Sequence, residues 1–358
     1  MDRHDLPGVT LKDAAEAHKQ DLVHQDEYHC KTMTYWVDEK RENAFCLIDA
    51  PNIQAVKDLH NRAHGLIPHQ IIEVDSTLVN AFLGRIQDPE SEDTPIDSPF
   101  RTLMVIESSN YLNRVDDLQF DLFYQRLHNS INKAIEKFNG KVVLLKSNSY
   151  LVSFKSVDNA ISCALKIKHN SKYVTPNFDS SYKLLNIGIS SGVPVTDKKE
   201  LFEDAINLST YFCEIVSGDI VVSYEVLEHF RANHKYAKLD KSEIRSLNQK
   251  EEDFLKQLMD FVETNWNNPQ FNVSSFSQKM GYSKSQLNRN IKSLTGLSPN
   301  KFMKKLRLQR ALKLLYNKKG NISEIAFETG FNTPAYFSKC FMEKFGILPS
   351  TYIKHYNK

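Results

Sequence analysis

The 358-residue sequence predicts an α+β protein of several domains: two α/β sandwich modules followed by an all-α module made of two helix-turn-helix units. Three observations carry this expectation. Over residues 1–237, short apolar strand patterns alternate with amphipathic helical ones. Between residues 273 and 353 the chain repeats itself at a spacing of 49 to 50. Charge also changes sign along the chain: residues 251–358 hold 17 Lys+Arg against 8 Asp+Glu, leaving 29 against 36 for the first 250. The net charge of +2 therefore hides a basic end on an acidic body, and a basic module predicts a polyanionic partner. No apolar run approaches the ~18 residues a membrane span needs. The opening MDRHDLPG lacks an export signal, and five cysteines lie scattered without CxxC spacing. Both point to a cytoplasmic protein with free thiols and no membrane partner.

Residues 1–87 form the first module. A strand ending near Asp5, a helix over 10–21, strands over 31–37 and 44–48, a helix over 52–64 and a strand over 71–74 give β-α-β-β-α-β, a ferredoxin-like sandwich. Seven of the twelve histidines lie in the first 69 residues. His60 and His64 stand at i, i+4 on one helix face, a workable pair of ligands for a divalent transition metal. In this topology the second helix ends near the end of the first strand and the start of the third. His4 and Cys46 can then join the pair, whereas His18 and His24 fall toward the other end. The competing reading is a helix-capping His64 and a solvated His60. The stretches DRHDLPG, YWVDE, AFCLIDAP and HNRAHGL resemble a family of small ferredoxin-like proteins with nickel-binding members. That resemblance spans most of residues 1–75 and implies nickel as the metal.

A linker follows at 88–99, DPESEDTPIDSP, with three prolines and five acidic residues. Residues 100–237 form the second module, with strands expected at 102–106, 142–145, 150–154, 184–189 and 220–222 and helices at 118–138, 157–168 and 201–215. The runs GKVVLLKSNSYLVSF, LLNIGISSGVPV and LFEDAINLSTYF resemble the catalytic domain of class III adenylyl and guanylyl cyclases. Those enzymes use two acids to hold two cations. The resemblance places Glu107 at the first acid and Asn148 at the second, where an amide cannot supply the anionic oxygen a divalent ion prefers. The transition-state asparagine aligns with Asn207, and its arginine partner with Tyr211, which carries no positive charge. Three of four positions are altered, which implies a non-catalytic, cyclase-like scaffold for homodimerisation or ligand sensing. A second linker is expected at 238–251.

Residues 252–358 hold the repeat. Val273, Phe276 and Gly281 match Ile322, Ile325 and Gly330, while Leu287, Ile291, Gly296 and Pro299 match Phe337, Phe341, Gly346 and Pro349 one residue later. Each copy reads as a short helix, a turn opened by glycine and a second amphipathic helix, and the later copy has one extra residue in its turn. Ser283 with Gln286 forms a capping-box pattern, Thr333 or Asn332 caps the later helix, and Pro334 takes its first turn. Between the copies, residues 299–316 place Phe302, Leu306, Leu312 and Leu315 at helical spacing. The runs MGYSKSQLNRNIKSLTGLSP, LRLQRALKLL and ISEIAFETGFNTPAYFSKCFMEKFGILPSTY resemble the DNA-binding domain of AraC-family transcription regulators. The resemblance implies two recognition helices, 284–292 and 334–344, entering successive major-groove segments on one face of double-stranded DNA. Helical geometry turns Leu287, Ile291, Phe337 and Phe341 inward and Ser285, Asn288, Arg289, Ala335, Tyr336, Ser338 and Lys339 outward. Arg289 suits guanine and Asn288 adenine, while Lys284, Gln286 and Lys292 suit phosphate contacts.

The predicted function is a sequence-specific DNA-binding transcription regulator without enzymatic activity, with sensing and dimerisation in its first two modules and a transition metal as one candidate signal. Two alternatives stand beside it: a nucleotide cyclase with an accessory DNA-binding domain, and a metal-binding protein.

Overall fold

The computed structural model describes residues 1–89, 96–108, 117–146, 149–174, 185–234 and 242–356. The N-terminal module runs β1 (Asp2–Asp5), α1 (Leu11–His24), a 3-10 turn (Gln25–Tyr28), β2 (Lys31–Asp38), β3 (Asn43–Asp49), α2 (Ile53–Ala63), β4 (Gln70–Ile71) and α3 (Ser76–Leu83). Its sheet has the order β2-β3-β1-β4 and is antiparallel throughout, the ferredoxin-like arrangement. Thr10 opens α1 with a capping box to Asp13, and Asn52 caps α2. The sequence pattern overestimated the fourth strand, which stops at Ile71, and missed α3.

The middle module runs β5 (Arg101–Ser108), α4 (Asp117–Lys137), β6 (Lys141–Lys146), β7 (Ser149–Phe154), α5 (Val157–Val174), β8 (Leu185–Gly192), α6 (Glu203–Glu214), β9 (Ile220–Val222), α7 (Tyr224–Asn233) and β10 (Arg245–Ser246). The block β8-β5-β7-β6 repeats the order of the first sheet, and β9 and β10 extend it in parallel. Side chains alternate across β5, so each face packs differently. Met104 and Ile106 join Leu127, Ile131 and Ile161 of α4 and α5. Leu103 and Val105 point the other way, into a core shared with Trp36, Phe45 and Phe82 of the N-terminal module and with Phe202 and Ala205. Buried Arg101 secures this joint, its guanidinium donating to the carbonyls of Phe82 at 3.1 Å and Leu83 at 3.0 Å. α3 thus joins the two modules. The acidic linker expected at 88–99 lies partly outside the described residues.

The C-terminal module comprises α8 (Gln249–Asn265), α9 (Val273–Lys279), α10 (Lys284–Thr295), α11 (Pro299–Tyr316), α12 (Ile322–Glu328), α13 (Pro334–Phe345) and α14 (Pro349–Tyr356). The stretch 238–251 is only partly a linker. Residues 238–241 lie outside the described ones, Arg245–Ser246 pair with β9, and α8 begins at Gln249 under an Asn248 cap. The sequence concealed this because the pairing of β10 is tertiary. The first helix-turn-helix unit shares one core with the middle module: Leu208, Phe212 and Val221 pack with Leu255, Leu287 and Ile291. The second has its own core, with Ile325, Phe337, Phe341 and Tyr352 gathered on Leu308 and Leu312. No helix among the described residues is long and apolar enough to cross a membrane.

Candidate nucleic-acid interface and metal centre

The two helix-turn-helix units present matching surfaces. Ser283 closes a capping box with Gln286 at the head of α10, and Thr333 accepts the Tyr336 N–H at the head of α13, so Thr333 and not Asn332 is the cap. Gly296 and Gly346 end the two helices with φ of 72° and 73°. Asn332 is the extra residue of the second turn. Leu287, Ile291, Phe337 and Phe341 are fully buried, as their spacing required. Lys284, Ser285, Gln286, Asn288, Arg289 and Lys292 are exposed on α10, and Ala335, Tyr336 and Lys339 on α13. Ser338 is half-buried, which weakens it as a contact.

Arg307 was one basic residue among many in the sequence; the structure makes it the tie between units. Its guanidinium donates to Trp266 O at 2.8 Å and Asn268 O at 2.7 Å, both just after α8, and to Gly330 O at 3.0 Å in the second turn. Gly330 itself has φ of +76°, and a Cβ there would lie 2.7 Å from Asn267 O. Turn geometry and close approach both require glycine.

In the N-terminal module, His4, Cys46 and His60 do converge, together with Asp2, and one ligand atom from each lies within 4.8 Å of the others. His60 also belongs to a second group with Asp21 and His64. Asp2 precedes His4 by two residues on the same face of β1, and Asp21 faces α2 from α1. Neither was foreseen. His60 is fully buried, against the solvated reading, while His64 does occupy the C-cap of α2. His60 Nε2 lies 3.1 Å from Asp2 Oδ2 and His60 Nδ1 3.1 Å from Asp21 Oδ1, while His64 Nε2 lies 3.2 Å from the same Asp21 oxygen. Burial pulls the His60 pKa down, but hydrogen bonds and charge from both aspartates outweigh it and raise it to about 9. Burial pushes the Asp2 carboxyl up, yet His4 and His60 hold it well below the usual carboxylate range. His18 was expected at the far end. Instead it lines a cavity of about 50 Å³ with His4, Asp21, Cys46 and His64, and its Nε2 lies 2.6 Å from Asp88 Oδ2. His24 does lie apart, paired with Glu27 at 2.8 Å.

The donor set suits a borderline divalent ion. Imidazole, thiol and carboxylate are buried together, which is the ligand mix of nickel, zinc and copper sites. The buried carboxylates of Asp2 and Asp21 add anionic oxygens to this set, which favours a cation. Buried Asp21 Oδ2 has no hydrogen-bond partner among the described residues, and buried His4 Nε2 has only a long 3.4 Å approach to Asp2 Oδ1.

Of the four cyclase-aligned positions, Asn148 lies outside the described residues. Glu107 lines a cavity together with Thr210 and Glu214 of α6, whereas Asn207 and Tyr211 are not among its lining. Tyr211 instead packs against the core shared with the C-terminal module.

Comparison with known proteins assigns the two ends of the chain. Residues 276–355 match a family described as a helix-turn-helix domain, and residues 1–74 match the nickel responsive SCO4226-like proteins. Over 108 residues the chain is 44% identical to histidine kinase P4 of Formosa agariphila, covering 30% of this chain and 8% of that one. Over 94 residues it is 34% identical to the HTH-type transcriptional activator RhaS of Mannheimia succiniciproducens, covering 26% and 35%. Over 184 residues it is 24% identical to the lactose operon transcription activator of Staphylococcus xylosus, covering 51% and 63%. The chain thus spans less than two thirds of each of these relatives. A solved transcriptional regulator with an AraC-type DNA-binding domain from Chromobacterium violaceum is 26% identical, with a TM-score of 0.28, covering 31% of this chain and 98% of that one. The C-terminal region thus matches helix-turn-helix domains of transcriptional regulators, and the N-terminal module matches the SCO4226-like proteins.

Proposed function

We propose that the chain is a sequence-specific transcription regulator of the AraC type, with no catalytic activity of its own, whose N-terminal module answers to a divalent transition metal, nickel foremost. The observation that carries this reading is the pair of capped helices, α10 and α13, each with its apolar side buried and its polar side bare. Double-stranded DNA is the partner. Arg289 and Asn288 read base edges in the first segment, and Tyr336 and Lys339 make the contacts of the second, where Ala335 offers only apolar surface. Lys284, Gln286 and Lys292 hold phosphates. His60 holds the metal either with Asp2, His4 and Cys46 or with Asp21 and His64, and the bound ion supplies a positive charge in place of the proton shared within the cluster. Homodimerisation through the middle module belongs to the same reading. The outermost strand β6, with Leu145 49% exposed and turned away from Leu144, is the surface that supports it.

Selection of bound sequences from random DNA, followed by titration of the selected site, tests the proposal. Arg289→Ala is expected to cost ~1–3 kcal/mol and to relax specificity at one base pair. Lys292→Ala should weaken binding to all sequences about equally and flatten its salt dependence. Failure to enrich any sequence would refute the function.

A further inference from the structure

A cavity of about 410 Å³ opens between the middle module and the end of α11, within the ~300–1,000 Å³ typical of small-molecule sites. Its floor is apolar, formed by Val105, Leu151 and Ile206 from β5, β7 and α6. Its walls carry four charges. Glu107 stands one residue before the end of β5, Lys146 ends β6, Glu214 ends α6, and Lys313 comes from α11 of the C-terminal module.

These charges are only partly matched. Lys313 Nζ and Glu214 Oε1 pair at 2.8 Å. The half-buried Glu107 carboxylate makes no hydrogen bond or ion pair with any described residue. Burial, reinforced by the negative Glu214 and opposed by Lys313, pushes it up to about 7. A carboxylate so placed loses hydration without gaining a full counter-charge, and a cationic ligand group would supply one.

The two helix-turn-helix units stand differently toward this cavity. The first is held to the middle module: Ser217 N–H donates to Leu294 O at 2.9 Å, and Arg245 donates to Ser293 O at 2.8 Å and Leu294 O at 3.0 Å. The second meets the segment after α8 at Gly330 and is otherwise carried by α11, whose last turn supplies the Lys313, Tyr316 and Asn317 wall before α12 starts at Ile322. Whatever fills the cavity therefore touches the middle module on one side and the stem of the second unit on the other.

We propose that this cavity binds a small aminated molecule, with an ammonium or guanidinium group seated on Glu107, and that occupancy sets the position of the second helix-turn-helix unit relative to the first. The regulatory half rests on the DNA-binding function proposed above. An occupant with different contacts in the two arrangements shifts their balance, and linkage then requires DNA and ligand to change each other's affinity by the same factor.

Calorimetric titration of the full chain with agmatine, L-arginine and L-glutamate tests the site. Agmatine and arginine share the guanidinium, only arginine adds a carboxylate, and glutamate serves as the anionic control. Both guanidinium compounds are expected to bind at one site and glutamate not to. Glu107→Gln should weaken both at least tenfold. Asn317→Trp, at an exposed position on the cavity wall, should weaken both as well, so the conclusion does not hang on how one variant folds. Lys146→Glu, also exposed, should weaken arginine relative to agmatine if the acid group lies toward β6; an unchanged ratio would overturn any role for Lys146 and so assign the site to the amine alone. No binding of either guanidinium compound, or full affinity in both Glu107→Gln and Asn317→Trp, overturns the site. Repeating the titrations with the selected DNA separates the readings. Agmatine binding that DNA does not alter overturns the regulatory half, whereas agmatine binding by a chain that selects no DNA overturns the regulator function and leaves the cavity standing.

Discussion

Arg307→Met tests whether the two helix-turn-helix units are held together by the carbonyl contacts of one side chain. Methionine keeps much of the aliphatic stem and removes the three donors. Hydrogen bonds to a charged group contribute ~1.5–3 kcal/mol each where water is excluded. The bonds to Trp266 O and Gly330 O are partly buried, while that to Asn268 O is exposed and readily replaced by water. Counting the first two, and discounting for water that reaches the vacated carbonyls, the loss is roughly 2–4 kcal/mol. Trp266 is itself an acceptor, and its ring lies 4.9 Å from the Arg310 guanidinium, so this junction and the core around Trp36 together set the tryptophan fluorescence of the chain. Urea unfolding followed by that signal should show a lower midpoint at constant slope. DNA binding should fall more for a site spanning both units than for one truncated to the first segment. An unchanged midpoint together with an unchanged preference for the longer site would show that Arg307 merely decorates α11.

Gly330→Ala should cost clearly more than Gly281→Ala in the same unfolding assay. Both positions need positive φ, worth ~1–2 kcal/mol, but only a Cβ at 330 would meet backbone, at 2.7 Å; equal losses would contradict the close approach. Burial, only partly offset by the Tyr224 N–H it accepts, lifts the Glu252 carboxyl from 4.5 to about 7. The folded chain then holds this proton more tightly than the unfolded one, so the stability it contributes is full below ~4.5 and is lost as pH rises through about 7. Glu252→Gln should therefore gain on the order of 1–3 kcal/mol relative to wild type between pH 5 and pH 8, and parallel pH profiles would rule this out. Nickel binding by the full chain should drop at least tenfold in a His60→Ala/His64→Ala double variant and should rise with pH in the wild type, because the imidazoles must be neutral to ligate. Equal binding by variant and wild type would eliminate the site.

Local chemistry made the helix bounds and the exposed faces of α10 and α13 legible in the sequence. Ser283, Thr333, Pro299, Pro334, Gly296 and Gly346 mark helix ends by backbone preferences that need no tertiary context, and the spacing of Leu287 and Ile291 fixes which side turns outward. The β-α-β-β-α-β orders were legible for the same reason. What escaped depends on elements meeting across long separations. Asp21 becomes a buried partner of His60 only because α1 packs against α2, and from sequence it is one more charge on a helix. Asp2 was closer to reach, since a residue two before His4 on a strand shares its face. His18 went to the wrong end because the helix was followed by strand topology alone, without the turn that places it beside Asp21. The Glu107 cavity has walls from two modules, so no single stretch of chain could announce it.

The core that joins Phe212 and Val221 to Leu255 and Leu287 also decides what can be cut from this protein. A fragment starting near residue 252 would carry both recognition helices but leave behind Leu208, Phe212, Val221 and Leu247, with Asn248, the cap of α8, lost as well. It would expose an apolar surface built for an intramolecular neighbour, and such surfaces self-associate. Transplanting the DNA-binding end onto another sensor would meet the same obstacle unless the segment from α6 onward travelled with it. In this chain the portable unit is larger than the one the repeat suggests.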